Sequence, residues 1–249
     1  MITQSTTPSL RNTARFAGLL YLLLIVVGIF AQGFVREQLL VPGEAAATAG
    51  NILASEGLFR MSIAGDLIMI LCDIVLGVIF YLLLKPVNQT LALLAAFLRL
   101  AQAATLGLNL LNLFITLQLL GGGYGANFGS EQLQSLALLF FEAHGIGYDI
   151  ALVFFGVYLL LQGYLMTKSS YFPRFLGTML VIAGLSYLVN SFSFLYPSYA
   201  PIIGQFMIGP TVLAELTLTL WLLIKGIKMV AQDGGSALKS RPSAEVAAS

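Results

Sequence analysis

Residues 58–120 read LFRMSIAGDLIMILCDIVLGVIFYLLL, then KPVNQ, then TLALLAAFLRLAQAATLGLNLLNLFITLQLL, so a five-residue connection separates two long apolar runs. Each run exceeds the roughly 20 residues that a helix needs to cross the hydrocarbon core of a bilayer. The connection at 85–89 contains Pro86 and is short enough to require an antiparallel hairpin. The stretch therefore predicts two transmembrane helices, at about 58–84 and 90–119.

The composition extends this interpretation to the whole chain. Of 249 residues, 58% are hydrophobic and 9% are charged, and the mean hydropathy is +0.91. A soluble domain could not solvate its surface with so few charged groups. We therefore expect a polytopic membrane protein whose first partner is the lipid bilayer. The net charge of +1 indicates no attraction to nucleic acid.

One cysteine, Cys72, and one histidine, His144, restrict the chemistry of the chain. They exclude an intrachain disulfide, a zinc site of the Cys/His type and bis-histidine haem ligation within one chain. We therefore expect no metal and no cofactor.

Four further apolar runs complete an all-α bundle of six transmembrane helices. A disordered N-terminal segment at 1–13 and a disordered tail at 231–249 are expected to flank a membrane domain at 14–230. The six helices are predicted at about 14–34, 58–84, 90–119, 138–166, 173–194 and 202–224.

Two of these helices have an alternative interpretation. Arg11 and Arg15 before the first apolar run could belong to a signal peptide, although the run at 16–34 is longer than a typical signal core of ~7–15 residues. The apolar run within 133–166 is too long for one crossing. Either its first two turns lie outside the membrane or the helix breaks near Gly145 and Gly147.

The distribution of basic residues predicts the orientation. Only Arg36 and Arg60 fall on the end opposite the termini, and Arg99 lies within the membrane. By the positive-inside rule, both termini are therefore expected to be cytoplasmic. The basic residues on the terminal end are Arg11, Arg15, Lys85, Lys168, Arg174, Lys225, Lys228, Lys239 and Arg241.

Charged residues on the second and third predicted helices lie at similar depth. Asp66 and Asp73 are seven residues apart and share a helical face. At 1.5 Å per residue, Arg99 lies about 15 Å and Asp73 about 18 Å from the turn that joins the two helices. We therefore expect Asp73 and Arg99 to pair near the middle of the membrane. Glu215, at a similar depth, is a second candidate partner of Arg99.

The fourth predicted helix carries another pair of acids. Glu142 and Asp149 are seven residues apart, whereas His144 points to roughly the opposite face, so Glu142 and His144 do not form a two-ligand metal grip. We expect Glu142 and His144 at the external mouth and Asp149 deeper in the membrane.

An excess of acid over base predicts a wet or titratable interior. Five acids face one arginine in the predicted helices, so four carboxylates must be protonated, hydrated or bound to a cation. The alternative is structural, because buried ion pairs can orient helices and asparagines can hydrogen-bond across them. The residues predicted to form a ligand or ion pathway are Asp66, Asp73, Arg99, Gln102, Asn109, Glu142, His144, Asp149 and Glu215.

Several segments together resemble a bacterial group of small multi-pass membrane proteins classified only as a domain of unknown function. The resemblance covers about residues 12–228 and implies an integral protein of the bacterial cytoplasmic (inner) membrane that retains its first helix. It implies no activity. The segments that carry it are RFAGLLY at 15–21, GD at 65–66 with Asp73, LKPVN at 84–88, FLR at 97–99, LNLLN at 108–112 and EAHG at 142–145.

These observations favour binding or transport of a small polar solute or cation through an acid-rich cavity centred on Arg99. One alternative is an intramembrane enzyme that modifies lipids, with Asp or Glu as general acid or base. The chain shows no recognisable nucleophile with a histidine base, so enzymatic activity is left undecided and is the less favoured alternative. The other alternative is a structural or sensory membrane module. Nothing in the sequence indicates an oligomer.

Overall fold

The computed structural model describes residues 6–122, 128–196 and 198–227. Most of the glycine-rich connection at 121–127 and the predicted tail at 231–249 lie outside these ranges. All regular secondary structure within the described ranges is helical. The elements are α1 (Thr6–Gly28), a π-helix (Ile29–Arg36), α2 (Glu37–Leu39), α3 (Ala45–Ala54), α4 (Glu56–Leu84), α5 (Gln89–Leu120), α6 (Ser130–Lys168), α7 (Arg174–Phe192), a 3-10 helix (Ser193–Leu195) and α8 (Ala200–Ile224).

Six helical segments of the described chain are long and apolar enough to cross a membrane, which confirms the predicted class and number. The first of them joins α1, the π-helix and α2 into one continuous run. The short helix α3 follows it. The six segments are Leu10–Leu39, Glu56–Leu84, Gln89–Leu120, Ser130–Lys168, Arg174–Phe192 and Ala200–Ile224.

The first helix begins at Thr6, inside the segment that the composition predicts to be disordered. Tertiary packing explains the extra turns. Ala14 is fully buried, and Nη2 of Arg15 donates a hydrogen bond to the carbonyl of Ile224 at 3.5 Å. The start of α1 is therefore held against the end of α8, a contact that hydropathy alone does not reveal.

Helix α6 is continuous over 39 residues, so it does not break at Gly145 or Gly147. At 1.5 Å per residue it is about 58 Å long, and part of it must extend beyond a hydrocarbon core of ~30 Å. Gly147 serves helix packing instead, because the side chain of Asn109 occupies the space that a Cβ at this position would need.

The six long segments pack in chain order and close into a ring. Each of α4 to α7 contacts the next helix along the chain, while α1 contacts both α4 and α8. The tight turn before α5 is held by Asn88, whose Oδ1 accepts a hydrogen bond from the backbone N–H of Leu91 at 3.0 Å. We call the end that carries this turn, the 169–173 turn and Lys225 the basic end. The other end, which carries α3, is called the opposite end.

Helices α6 and α7 approach so closely that only glycine fits at their contact. A Cβ at Gly163 would lie 2.6 Å from the carbonyl oxygen of Gly177, and a Cβ at Gly184 would lie 2.8 Å from that of Gly156. Small residues allow such backbone contact between membrane helices, where dispersion forces between well-packed surfaces drive association.

The variant Gly163→Ala is therefore expected to destabilise the protein by about 1–3 kcal/mol, because the added methyl group forces α6 and α7 apart. Thermal unfolding in a neutral detergent measures the change. Gly107→Ala is the matched control, since a Cβ at Gly107 meets no atom within 4 Å. Equal stability of the two variants would contradict the close contact.

Candidate functional site

Arg99 and Asp73 form a fully buried ion pair between α5 and α4. Nη2 of Arg99 donates to Oδ1 of Asp73 at 2.5 Å, and Nε of Arg99 donates to the carbonyl oxygen of Asp73 at 3.0 Å. Nε2 of Gln102 donates to the other carboxylate oxygen at 3.0 Å. The predicted pairing of Asp73 with Arg99 is therefore confirmed.

Aromatic residues complete the surroundings of Arg99. Nη1 donates to the hydroxyl of Tyr21 at 3.1 Å. The guanidinium carbon lies 5.3 Å, 5.4 Å and 4.7 Å from the ring centres of Tyr21, Phe155 and Tyr158. Such distances allow cation–π attraction. Arg99 is 0% exposed, and it joins α1, α4, α5 and α6 in one sealed cluster.

A second buried ion pair joins Arg36 to Asp66. Its two N–O distances are 2.5 Å and 3.2 Å, and Nε of Arg36 donates to Oε1 of Gln32 at 2.9 Å. The predicted first helix ends at about residue 34, before Arg36, but the helix continues beyond Phe34 as a π-helix that includes Arg36. Arg36 is the last residue of this π-helix, and its side chain reaches Asp66 on α4.

This pair changes the charge balance inside the bundle. Two arginines now face the five acids, and Asp66 is not an unmatched carboxylate. Glu215 was expected as a second partner of Arg99, but it accepts a hydrogen bond from the hydroxyl of Tyr187 at 2.6 Å. Asp73 is the one carboxylate that pairs with Arg99 within the described ranges.

A cavity of about 610 Å³ lies between α1, α6, α7 and α8 in the half of the bundle towards the opposite end. A second cavity of about 320 Å³ adjoins it and shares four lining residues with it. The larger volume is within the range of small-molecule sites. The shared residues are Gln32, Glu37, Tyr148 and Asp149.

Three acids line these cavities. Asp149 is half-buried and lines both of them, and among the described residues it has neither a hydrogen bond nor an ion pair. Glu37 also lines both cavities, and Glu142 lines the smaller one; both side chains are exposed. The only arginine in the lining of either cavity is Arg36, whose charge is matched by Asp66.

Asn109 and His144 remain of the predicted residues. Asn109 links α5 to α6 by a hydrogen bond, and His144 lines the smaller cavity. Nδ2 of Asn109 donates to the carbonyl of His144 at 2.8 Å, and its oxygen accepts from Asn112. The His144 side chain is buried and lines the smaller cavity, with its ring centre 6.2 Å from that of Tyr148. No three His, Cys, Asp or Glu side chains converge as a metal site within residues 6–122, 128–196 and 198–227.

The structure thus divides the predicted pathway residues into separate groups. Asp73, Arg99 and Gln102 lie in the sealed cluster, and Asp66 is held by Arg36. The cavities are lined by Glu142, His144 and Asp149. Glu215 lines neither cavity and accepts a hydrogen bond from Tyr187, which lines the larger one.

Sequence reasoning did not assign Arg36, Tyr21 or Tyr187 to the site. Tyr21 and Tyr187 carried no distinguishing signal among the ten tyrosines of the chain. Arg36 lies two residues after Phe34, where the predicted helix ends. Its closeness to the helix end was the one sequence signal that could have indicated a place inside the bundle.

The fold and the buried charges define a multi-pass helical membrane protein with a polar cavity. The chain belongs to the family described as "Domain of unknown function (DUF4386)", whose model matches residues 16–226.

A protein of Archaeoglobus fulgidus described as "Uncharacterized protein" is 30% identical over 168 residues, which cover 68% of this chain and 85% of that protein. The chain is therefore similar to an archaeal protein. No solved structure matches the chain.

The variant Arg99→Met is expected to destabilise the protein by about 3–5 kcal/mol, because it leaves the carboxylate of Asp73 buried without its cation. Adding Asp73→Leu should recover part of this loss. Unfolding in a neutral detergent gives the free energies for the double-mutant cycle.

Arg60→Met is the matched control for this cycle. Arg60 pairs with Glu56 on the surface, where an ion pair contributes about 0–1 kcal/mol. If Arg99→Met were as mild as Arg60→Met, the buried pair would not be the main support of the bundle.

Proposed function

We propose that this protein binds a small cation in the cavity around Asp149, as the first step of its storage, sensing or transport. One observation carries the proposal. Asp149 is half-buried on the wall of a cavity of about 610 Å³ and has no cationic or hydrogen-bonding partner among the described residues. An ionised carboxylate in such surroundings is stabilised by a bound cation or by water.

The charge of the lining supports a cation over an anion. Glu37, Glu142 and Asp149 contribute acid to the two joined cavities, and the charge of Arg36 is already neutralised by Asp66. The net field at the cavity is therefore negative, which attracts cations and repels anions.

Tyrosines in the lining favour an organic cation. Tyr148 and Tyr187 both line the larger cavity beside Asp149. An acid together with aromatic rings is the usual combination for recognition of quaternary ammonium groups. Choline is therefore a suitable probe.

The proposed binding centre differs from the one that the charge pattern alone favoured. Arg99 is completely buried, its three donor nitrogens are all hydrogen-bonded, and it lines neither cavity. We assign Arg99 a structural role, and we assign the ligand to Asp149.

Binding is the step that the geometry supports directly. Arg99 contacts the rings of Tyr21 and Tyr158, which lie nearer the basic end than the cavity residues on the same helices, and α1 and α8 are in close contact in that half. Passage of a solute across the membrane would require this half to open. If the basic end is cytoplasmic, as the positive-inside rule predicts, the cavity faces the exterior.

Choline at millimolar concentration is expected to raise the thermal stability of the purified protein in a neutral detergent, relative to sodium at equal ionic strength. Asp149→Asn should weaken choline binding by about tenfold or more, because it removes the charge that attracts the ligand. Without choline, this variant should be at least as stable as the wild type, since Asp149 has no partner to lose.

Glu131→Gln is the matched control, because Glu131 is an exposed acid in the first turn of the same helix and lines neither cavity. Its choline response should equal that of the wild type. An equal response of wild type and Asp149→Asn, or a response to the uncharged isostere dimethylbutanol, would exclude the proposed cation site.

A further inference from the structure

We infer that the larger cavity opens sideways into the lipid between α1 and α8, and that its ligand is an amphipathic cation. Its ammonium group would lie at Asp149 and its apolar chain would extend through the gap into the bilayer. The assignment of the charged end rests on the proposed function; the lateral opening rests on separate observations.

Helices α1 and α8 are in tight contact near the basic end. A Cβ at Gly18 would lie 2.8 Å from the backbone nitrogen of Leu223. Further towards the opposite end the same two helices form facing walls of the larger cavity, through Gly28 and Ile29 on one side and Met207 and Ile208 on the other. The pair of helices therefore forms a wedge that is closed at the basic end.

The rim of this wedge lies at the depth of lipid chains. Ile29 is about 7 Å and Ile208 about 6 Å from the middle of their segments at 1.5 Å per residue, well within the ~15 Å half-thickness of the hydrocarbon core. The side chains at the rim are largely exposed, with exposed fractions of 65% for Ile29, 62% for Ile208 and 48% for Val212. At this depth an exposed isoleucine faces lipid chains and not water.

The lining changes from apolar at the rim to polar inside. Besides the exposed Ile208 and Val212, the lining contains Asp149, Asn190 and Thr211, which are half-buried or buried. The amide of Asn190 has no hydrogen-bond partner among the described side chains, so it can bind a polar group of a ligand. A molecule with a charged head and an apolar tail matches this gradient, whereas a wholly hydrophilic cation would leave the apolar rim uncovered.

A substitution at Gly33 can be used to block the larger cavity. Gly33 lines the larger cavity, and a Cβ there would meet no atom within 4 Å. A larger side chain at this position therefore starts in open space on the wall of the cavity. Gly107 also has open space at its Cβ, but it lines neither cavity and lies on α5.

The experiment compares the affinities of choline, butyltrimethylammonium and decyltrimethylammonium for the purified protein, by thermal-shift titration in neutral detergent below the micellar concentration of the decyl compound. We expect affinity to rise with chain length, with the decyl compound at least about tenfold tighter than choline because its chain is removed from water. Asp149→Asn should weaken binding of all three.

Gly33→Phe should weaken binding of the decyl compound by about tenfold or more, because the ring fills part of the cavity. Gly107→Phe should bind it as the wild type does. Ile208→Trp places a bulky ring at the exposed rim and should cause the same selective loss. This second variant provides the test if Gly33→Phe does not fold.

The outcomes separate the two proposals. If choline binds through Asp149 but a longer chain brings no gain, the lateral opening is wrong and the cation site stands. If no cation binds in an Asp149-dependent manner, the cation site itself is wrong. If the decyl compound binds more tightly than choline but equally well to wild type and Asp149→Asn, its gain reflects partitioning into detergent. If it loses affinity equally in Gly33→Phe and Gly107→Phe, the loss does not arise in the cavity. Either result means that the lateral opening is wrong.

Discussion

A completely buried guanidinium lies at the centre of this bundle, and the arrangement of four helices follows from the need to satisfy it. Arg99 finds a carboxylate and a carbonyl on α4, a hydroxyl on α1 and aromatic rings on α1 and α6. A charge in hydrocarbon is costly unless it is paired and hydrogen-bonded. Shifting any of these helices along its axis would break one of the contacts, so Arg99 specifies their relative register.

The same arrangement separates the bundle into two halves with different properties. Around Arg99 the aromatic rings pack closely, and in the half towards the basic end glycines bring α6 against α7 and α1 against α8. Towards the opposite end, α1 and α8 part and leave a cavity whose wall contains an unpaired acid, Asp149. The half that contains the cavity is the one in which we propose that a ligand binds.

Much of the polar chemistry was visible in the sequence, but its grouping was not. Asp73 and Arg99 could be paired because a short turn sets both helices in register, so depth can be counted from it. Arg36 could not be placed this way, because a π-helix changes the direction of its side chain and no hydropathy pattern reveals such a turn. Because the Arg36–Asp66 pair was not predicted, Asp66 was counted as an unmatched carboxylate, and the cavity was expected around Arg99.

The sequence by itself determined the membrane class, the six crossings and the hairpin that brings Asp73 to Arg99, because apolar length and short turns act locally along the chain. Only the tertiary structure decided that the segments close into a ring, that Arg36 turns inward to Asp66, and that Asp149 faces open space. These features depend on how helices distant in sequence tilt and approach one another. Gly18 contacts Leu223 of α8, a residue far away in the sequence, and this contact holds α1 and α8 together near the basic end. Towards the opposite end the larger cavity lies between the same two helices.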